Sequence, residues 1–346
     1  MISARCQGAY WDNGDLRIVN YLTRKTFSAN PIVFEILRFF SCTATIASAM
    51  LEFGAYTGRS VGEAILNLID AQLLLECDSP EAARDVSLDS SWKPWQPQGG
   101  YHFLTKDVPF VEGDWTVEQK MQTVPDTPPP PPFKKRKGNE SVALPQDEVE
   151  TDSFYGTLHA RRTRREFSAA DVPLKSVSLQ TTWGVQGYVE SKAYGLLPLK
   201  TSPSGGARHP VEVYLMALRV EGLDRGLYHD DAKDQMLERL SSEATPQMAR
   251  AYCADQPYAA HAAALFIMTA VFARTMWKYH HARAYRVVLL DAGHLGQTFC
   301  LTATRLGLAP FSTAALKDSL IETDLGIDGI SESVLYVTGI GLPVGE

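Results

Sequence analysis

The chain has few cysteines and no long hydrophobic run, and both absences exclude classes of protein. Its five cysteines form no Cys-x-x-Cys pair and have no histidine at ligand spacing, so the sequence predicts neither a disulfide framework nor a metal site. No apolar run reaches the ~18 residues that span a bilayer, and the first residues lack a basic-then-apolar signal pattern. We therefore expect a cytoplasmic protein that is not inserted in a membrane.

Basic charge is also scarce. Lys and Arg together number 33 against 40 Asp and Glu, which gives a net charge of −7 and an isoelectric point near 5.7. This balance argues against a main role in holding nucleic acid or an anionic membrane surface. The sequence also lacks a Gly-x-Gly-x-x-Gly nicotinamide fingerprint and an internal repeat. Its 346 residues are enough for two domains, each with its own core.

A proline-rich and basic segment divides the chain. Residues 123–150 contain five consecutive prolines, and the basic run 134–137 follows them. Polyproline is extended and stiff, and the segment has too few apolar side chains to fold alone. We predict a solvated linker here. It separates an N-terminal module of residues 1–122 from a larger domain of residues 151–346.

Three short helical patterns lie in the N-terminal module. They cover residues 32–40, 46–53 and 60–73, and the last begins with Ser60 as N-cap and Glu63 three residues later. Three such helices suggest a winged-helix-like domain. Because residues 60–71 hold Glu63 and Asp70 and no Lys or Arg, a peptide-docking or structural role is favoured over DNA binding.

The larger domain alternates helical and strand patterns. In chain order they predict a helix at 176–185, strands at 211–218, 225–229 and 262–272, a helix at 285–306 and a strand at 333–340. This order indicates an α+β fold in which helices flank a mixed sheet. Two aromatic groups, residues 92–95 and 101–103, form an aromatic strap that we expect to pack the N-terminal module onto this domain.

A glycine-rich run precedes the first of these strands. Residues 201–210 read Thr-Ser-Pro-Ser-Gly-Gly-Ala-Arg-His-Pro. Gly205 and Gly206 lack the β-carbon that blocks close approach of a backbone to a ligand, and prolines bracket the turn. Local chemistry alone fits a phosphate or flavin cradle and an ordinary loop equally well.

An arginine-rich run opens the larger domain. Residues 161–165 read Arg-Arg-Thr-Arg-Arg and place four guanidinium groups around one hydroxyl. A phosphate monoester favours bidentate arginine donors with a hydroxyl donor beside them. A basic helix start that faces solvent gives the same pattern.

Both runs resemble motifs of one family. The glycine-rich run resembles the Ser-Pro-Ser-Gly-Gly-Ala-Arg-His-Pro signature of SagB-type dehydrogenases, which are FMN-dependent azoline oxidases of the nitroreductase superfamily. The arginine-rich run resembles the Arg-Arg-Ser-x-Arg motif that opens the nitroreductase fold. In that motif Arg161 and Thr163 match the phosphate and ribityl contacts, and Arg165 matches the basic residue against the pyrimidine ring.

The resemblance implies FMN as the cofactor and assigns its contacts by position. The loop after the long helix usually presents backbone N–H groups to flavin N5. The implied cofactor-binding set is Arg161, Arg162, Thr163, Arg165, Pro203, Ser204, Gly205, Gly206, Ser312, Thr313 and Ala314. Ala207 departs from the pattern, since many nitroreductases have a flavin-binding Asn there. Arg283 and Arg286 are further candidates for the phosphate site.

A lysine next to a phenol, Lys278–Tyr279, suits proton abstraction. In a partly dry site each group lowers the other's cost of losing a proton. A lone Lys-Tyr pair is usually exposed and without function, but this one matches the Lys-Tyr pair of azoline oxidases, and the resemblance implies that both residues are catalytic. His280 and His281 are rival bases that we expect to be solvated or packed. His294 either positions a ligand or only packs near the helix start, as does Gln297.

The resemblance implies an enzyme that oxidises thiazoline or oxazoline rings to thiazole or oxazole in peptide natural-product biosynthesis. It further implies a homodimer with FMN at the subunit interface and a peptide substrate, either bound to a carrier protein or part of a ribosomal precursor. Two alternatives stay open. One is an NAD(P)H-dependent nitro or quinone reductase, which needs no Lys-Tyr base. The other is a flavin-free leader-peptide or DNA-binding adaptor built on the N-terminal module.

Overall fold

A six-stranded sheet forms the centre of the larger domain. The computed structural model describes residues 1–54, 58–96, 99–108, 154–174, 179–192 and 194–344. The sheet has the strand order β12-β11-β9-β13-β15-β14. Its strands are β9 (Val211–Ala217), β11 (Gly226–Asp231), β12 (Met236–Ser241), β13 (Ala264–Val271), β14 (Ala309–Thr313) and β15 (Glu332–Gly341).

The α+β class is confirmed, but the predicted mixed sheet is antiparallel between all neighbouring strands that the structure describes. Short chain reversals join β9 to β11 and β11 to β12, and such short connections can link only antiparallel strands. A parallel pair does occur elsewhere, between the two-residue strands β6 (Val172–Pro173) and β10 (Val220–Glu221).

Helices cover both faces of this sheet. The helices of this domain are α6 (Phe154–Ala160), α7 (Leu179–Thr182), α8 (Pro246–Tyr252), α9 (Phe272–Met276), α10 (Arg283–Arg305) and α11 (Asp318–Leu325). Side chains of β13 alternate between the two cores: Phe266 and Met268 pack with α10, whereas Leu265 and Ile267 pack with α8 and α11. The sheet is therefore buried on both sides, which explains why its central strand is apolar except for Thr269.

Two predicted elements of this domain are wrong in part. The helix expected over 176–185 is described only as α7, and the chain enters strand β7 (Val185–Ser191) directly afterwards. β7 forms a hairpin with β8 (Gly195–Lys200). The loop expected after the long helix is strand β14, because its backbone completes the ladder with β15. The other predicted helices and strands of the domain are confirmed to within a few residues.

The three helices predicted for the N-terminal module are present as α1 (Ile32–Phe39), α2 (Ile46–Glu52) and α3 (Gly58–Asp70). Ser60 is the third residue of α3 rather than its N-cap, because the helix begins two residues earlier. The helices share a core with a three-stranded antiparallel sheet that was not predicted from the sequence. The remaining elements of the module are β1 (Ile2–Ser3), β2 (Gln7–Asp12), β3 (Asp15–Asn20), β4 (Thr26–Ala29), β5 (Leu74–Leu75), α4 (Pro80–Trp92) and α5 (Gly100–Leu104).

The aromatic strap packs onto the larger domain, as expected from the sequence. Trp92 and Trp95 are fully buried in a core that also contains Phe272 of α9. The indole N–H of Trp92 donates to the backbone carbonyl of Ile330 at 2.9 Å, so the contact is polar as well as apolar. The predicted linker, residues 123–150, lies outside the described residues, and the domain bounds at 122 and 151 stay predictions.

A buried ion pair joins the same two parts of the chain. Lys106 Nζ lies 2.7 and 2.6 Å from the two carboxylate oxygens of Glu322 in α11 and 3.2 Å from the carbonyl oxygen of Gly329. The Ser333 hydroxyl donates to the same carboxylate at 2.5 Å, and its oxygen lies 3.0 Å from His102 Nε2. The network fixes the end of the N-terminal module against the sheet.

Candidate active site

The glycine-rich run forms a tight turn that leads into β9. Gly205–Ala207 make a single 3-10 turn, in which Gly206 has a φ of 64°, a left-handed conformation that glycine adopts without steric cost. A β-carbon on Gly206 would lie 2.5 Å from the Tyr279 hydroxyl oxygen and 2.8 Å from Lys278 Nζ. The turn and the Lys-Tyr pair, which are 72 residues apart in the sequence, therefore meet at one point.

Neighbouring groups hold both members of the pair. Lys278 Nζ lies 4.0 Å from the centroid of the Tyr194 ring and donates to the carbonyl oxygen of Gly206 at 3.5 Å. A cation over an aromatic face is stabilised there. The carbonyl oxygen of Tyr279 accepts a hydrogen bond from the Trp95 indole at 3.1 Å, so the aromatic strap reaches the candidate catalytic residue. Lys278 and Tyr279 are both half-buried.

The rival histidines have a different environment. His280 and His281 are exposed, in agreement with the solvated state expected for them. His294 is exposed as well, and its Nδ1 lies 3.3 Å from the carbonyl oxygen of Pro203. Gln297 is exposed on the same helix. The His294 ring therefore contacts the glycine-rich run at Pro203. His209 is itself part of that run, and its backbone N–H donates to the Ser204 hydroxyl oxygen.

Asp291 of α10 organises the turn, although no sequence motif identified it as a site residue. Its carboxylate accepts from the Ser204 hydroxyl at 2.5 Å and from the Gly205 N–H at 3.2 Å. Burial raises the pKa of Asp291, while the bonds from Ser204 and Gly205 lower it. A signal was present: Asp291 falls beside Val288 and Ala292 on the apolar stripe of the helix, where a carboxylate needs a partner.

The arginine-rich run lies along the outer edge of β14. The Arg164 N–H donates to the carbonyl oxygen of Pro310 at 2.9 Å. β14 is the last strand of the sheet in the described part of the chain, and no further described strand lies beside this edge. Because backbone groups alternate between the two edges of a strand, Ser312 directs its N–H to the same side as Pro310. A backbone donor of the predicted set thus faces the arginine-rich run.

Side-chain contacts join the same two segments. The Arg161 guanidinium and the Ser312 hydroxyl both lower the pKa of the Cys300 thiol, against burial, which has the larger effect and raises it. The Arg165 guanidinium carbon lies 5.1 Å from the centroid of the Tyr258 ring. Arg161, Arg165 and Ser312 therefore surround one surface, together with Thr313, whose hydroxyl oxygen accepts from Gln256 Nε2 at 3.1 Å. No sequence motif marked Gln256, Tyr258 or Cys300.

Three members of the predicted set have less definite surroundings. The Arg162 guanidinium donates to the carbonyl oxygens of His159 and Arg161, at 2.8 and 2.7 Å, and so turns back onto the end of α6. Thr163 and Ala314 are exposed beside the run and the strand. Arg283 and Arg286, the further phosphate candidates, are exposed at the start of α10.

The predicted site residues thus form two groups. The glycine group comprises 203–206, 278 and 279, and the arginine group comprises 161–163, 165 and 312–314. Asp291 anchors the first group and Cys300 touches the second. Nine residues along α10 separate the two anchors by about 13 Å along the axis and by about half a turn around it. Within one chain the two groups consequently lie at different faces of the long helix.

Comparison with protein families identifies this domain. Residues 158–342 match the model of the Nitroreductase family. The match covers more than half of the chain, and the chain therefore belongs to this family. Membership makes the chain an enzyme of oxidoreductase type and agrees with the observed α+β fold.

Curated relatives are similar over a shorter part. The chain is 32% identical over 146 residues to the trifolitoxin-processing protein TfxB of Rhizobium leguminosarum bv. trifolii, covering 39% of this chain and 38% of that protein. It is 28% identical over 146 residues to the microcin B17-processing protein McbC of Escherichia coli, covering 40% of this chain and 53% of that protein. The chain spans about half or less of the length of these two relatives. Both are processing proteins, which confirms the resemblance to the SagB-type branch.

Among solved structures, the E. coli microcin synthetase McbBCD complex with truncated pro-MccB17 bound includes a similar chain. The identity is 19%, the match covers 81% of this chain and 98% of that chain, and the TM-score is 0.48.

In the described ranges no helix has both the length and the apolar character needed to cross a membrane. Nor do those ranges bring three or more His, Cys, Asp or Glu side chains into an arrangement that could hold a metal ion.

Proposed function

We propose that this protein is an FMN-dependent oxidase that converts the thiazoline or oxazoline rings of a peptide to thiazole or oxazole. The observation that carries the proposal is the meeting of Lys278 and Tyr279 at Gly206. A flavin reductase fed by a nicotinamide needs no base beside its ring. A proton acceptor is required when a carbon–hydrogen bond of the substrate must be broken as a proton.

The residues present fit FMN. The arginine group offers the guanidinium donors of Arg161 and Arg165 and the outward N–H of Ser312 along an open strand edge. Charge-assisted bonds from guanidinium groups suit the phosphate, and a backbone donor suits the ring. The glycine group offers a turn without side chains at Gly205 and Gly206. FMN supplies the hydride acceptor when it is bound.

The chain's own residues handle the proton. Oxidation of an azoline removes a proton from the α carbon and a hydride from the adjacent ring carbon. Lys278 Nζ and the Tyr279 hydroxyl both lie at the turn, so whichever of the two is in its deprotonated form, a neutral amine or a phenolate, can receive the proton from a ring seated against Gly206. The Tyr194 ring under Lys278 and the Trp95 bond to Tyr279 keep the pair in place.

A homodimer unites the two groups in this proposal. One chain carries them on different faces of α10, so an arginine group and a glycine group facing one flavin come from two copies. Large apolar side chains are exposed along the surface between them. They are Phe154 and Tyr155 of α6, which are 67% and 56% exposed, and Leu289 and Leu290 of α10, which are 42% and 54% exposed. Burial of such a surface stabilises association.

The substrate in this proposal is an azoline-containing peptide. Relatives that process trifolitoxin and microcin B17 support a peptide. Presentation of that peptide on a carrier protein and within a ribosomal precursor are both compatible with the site. Nucleic acid is not part of the proposal, because the described surface of the third N-terminal helix is acidic at Glu63 and Asp70.

Anaerobic mixing tests the proposed function. The purified protein is loaded with FMN and mixed with a synthetic azoline peptide, and the loss of flavin absorbance is followed. We expect the flavin to bleach and the peptide to lose two mass units. Bleaching by NADH or NADPH together with none by azoline peptides would support the reductase alternative instead.

A further inference from the structure

A charged cavity lies on the far side of the glycine turn. Its volume is about 470 Å³, and it is bounded by the β7–β8 hairpin, the start of β9 and the end of β11. Apart from Arg208 and His209, which end the glycine-rich run, its charged lining lies outside the motifs that the sequence predicted as a site. Its charged lining includes Lys200, Arg208, His209, Glu212, Asp230 and Arg274.

Two of these groups have no hydrogen bond or ion pair among the residues that the structure describes. Asp230 is 7% exposed, and no side chain of the described residues hydrogen-bonds or ion-pairs with its carboxylate. Burial raises the pKa of Asp230 to about 6. The half-buried Lys200 also lacks a hydrogen bond or ion pair within the described part of the chain, and burial lowers the pKa of its ammonium group. Lys200 and Asp230 attract each other through space. Because neither makes a hydrogen bond or ion pair in the described residues, their burial is still costly, and their retention beside a cavity favours a ligand.

The two other acids of the lining, Glu212 and Asp231, are already compensated. Asp231 accepts the backbone N–H groups of Lys233 and Asp234 at 2.9 and 3.0 Å. Glu212 pairs with Arg274, and it lies 3.1 Å from Nε2 of His229. His229 also lies 2.9 Å from Glu238, and its hydrogen bond to Glu212 is the largest cause that raises its pKa to about 9. His229 is therefore charged at neutral pH. Glu212, Arg274, His229 and Glu238 balance one another. Of the other lining cations, Lys233 is exposed to solvent, whereas Lys200 and Arg208 are half-buried and can meet a ligand inside the cavity.

Cationic side chains outnumber carboxylates in the lining: they are Lys200, Arg208, Lys233, Arg274 and the charged His229, against Glu212, Asp230 and Asp231. The pKa of His209 is lowered to about 4, by burial first and then by the charges of Lys200, Arg208 and Arg274. Arg208 has no carboxylate partner among the described residues. Its guanidinium lies 5.1 Å from the centroid of the Trp277 ring, and its Nε donates to the carbonyl oxygen of Gly206 at 3.3 Å. Arg208 thus connects the cavity with the glycine turn.

We infer that this cavity is an anion-binding subsite in which Lys200 and Arg208 hold one carboxylate or phosphate group of the substrate, while the neighbouring Asp230 carboxylate opposes it. The distance along the chain is short, since Arg208 follows Gly206 by two residues. A substrate whose ring lies against Gly206 can therefore place an anionic group in the cavity. That assignment to the substrate rests on the proposed function, whereas anion binding itself does not.

Binding of small anions to the FMN-loaded full chain tests the inference. The probes are N-acetylglycine for a carboxylate, inorganic phosphate for a phosphate, and N-acetylglycinamide as the neutral control. Dissociation constants come from the dependence of the unfolding temperature on probe concentration. We expect stabilisation by one anion class and none by the amide. A preference for N-acetylglycine indicates an acidic residue or chain end of a peptide, and a preference for phosphate indicates a phosphorylated carrier group.

Three variants assign the binding to the cavity. Lys200→Gln removes a charge-assisted contact and should weaken binding about tenfold. Asp230→Asn keeps the shape, removes the opposing charge and should tighten binding. Lys192→Gln is the matched control, because Lys192 is exposed on the same hairpin and does not line the cavity. It changes the net charge equally and should leave the dissociation constant unchanged.

Equal anion affinity of the wild type and Lys200→Gln overturns the inference, as does weaker binding by Asp230→Asn. Loss of bound FMN from Lys200→Gln, read from its absorbance, also overturns it by assigning the cavity to the cofactor. None of these measurements uses turnover. A protein that binds anions as expected but oxidises no azoline therefore contradicts the proposed function alone, and the reverse result contradicts the subsite alone.

Discussion

Gly206 and Tyr279 lie so close together that a single added methyl group on the glycine would stand 2.5 Å from the phenolic oxygen. That spacing is shorter than ordinary van der Waals contact. It means that the glycine-rich run does more than turn the chain, because its missing side chain is what allows the Lys-Tyr pair to reach the turn. Gly206→Ala should therefore damage the site in a way that backbone strain alone does not.

We expect Gly206→Ala to fold, to lose about 1 kcal/mol of stability from its positive φ, and to lose most of its oxidase turnover. Gly222→Ala is the matched control, since Gly222 has a φ of 81° and its β-carbon would meet nothing within 4 Å. It should show the same loss of stability with normal turnover. Thermal unfolding and anaerobic flavin reduction measure the two quantities. Equal activity of the two variants would remove the turn from the active site.

The sequence predicted this meeting only through resemblance to a family. Nothing in the spacing of Gly206 and Lys278, 72 residues apart, indicates contact, because the contact depends on how β9, β13 and α9 pack. Local patterns were sufficient for strongly periodic elements such as α10 and β13. They failed at β14 and at the N-terminal sheet, where short strands are held by their neighbours rather than by their own composition.

The arginine group should hold the phosphate of FMN. Arg161→Ala removes a charge-assisted contact of roughly 1.5–3 kcal/mol, so we expect the affinity for FMN to fall about tenfold or more. Arg164→Ala is a suitable control, because it removes the same charge from the same exposed segment and Arg164 is outside the predicted set. Titration of the apoprotein with FMN, followed by flavin fluorescence, measures both. Similar losses in both variants would indicate general attraction rather than a defined contact.

The buried pair Lys106–Glu322 should stabilise the joined N-terminal module and sheet. Both side chains are 6% exposed, so Lys106→Met leaves a buried carboxylate without its cation and should cost about 3–5 kcal/mol. Arg5 and Asp89 form an exposed pair at 3.1 Å, and Arg5→Gln should cost less than about 1 kcal/mol. Chemical denaturation compares them. If the two variants unfold alike, the buried pair does not hold the parts together.

Stability should fall in acid because of His102. Burial is the first cause that lowers its pKa from 6.5 to about 3, and the charge of Lys106 adds to it. Below pH 6.5 the His102 side chain binds a proton in the unfolded chain but not in the folded chain. The free energy of unfolding therefore decreases as the pH falls from 6.5 towards 3. At pH 5 the loss is about 2 kcal/mol. The free-energy difference between wild type and His102→Asn should therefore narrow by that amount between pH 7 and pH 5. A constant difference would show that His102 binds a proton in the fold.

The sequence indicates that Asp291 is buried, but it does not indicate which groups Asp291 contacts. A carboxylate on the apolar stripe of α10 is visible in the helical periodicity alone, and it requires a buried partner. The identity of that partner, the Ser204 hydroxyl and the Gly205 N–H, depends on tertiary packing. The charged cavity around Lys200 and Asp230 was even harder to predict from the sequence. Apart from Arg208 and His209, its lining comes from several strands that share no local motif.

The central claim is that Lys278 and Tyr279 receive the proton. Neither residue is assigned to the cofactor, so Lys278→Ala and Tyr279→Phe should fold and bind FMN as the wild type does. The matched control is His280→Ala, since His280 is exposed beside the pair. The direct measurement is the rate of flavin reduction by an azoline peptide without oxygen, with bound FMN read from absorbance. Loss of a general base predicts a rate lower by a factor of about 10²–10⁴ in at least one variant of the pair and no change in the control. Near-normal reduction rates in both variants of the pair would contradict the account.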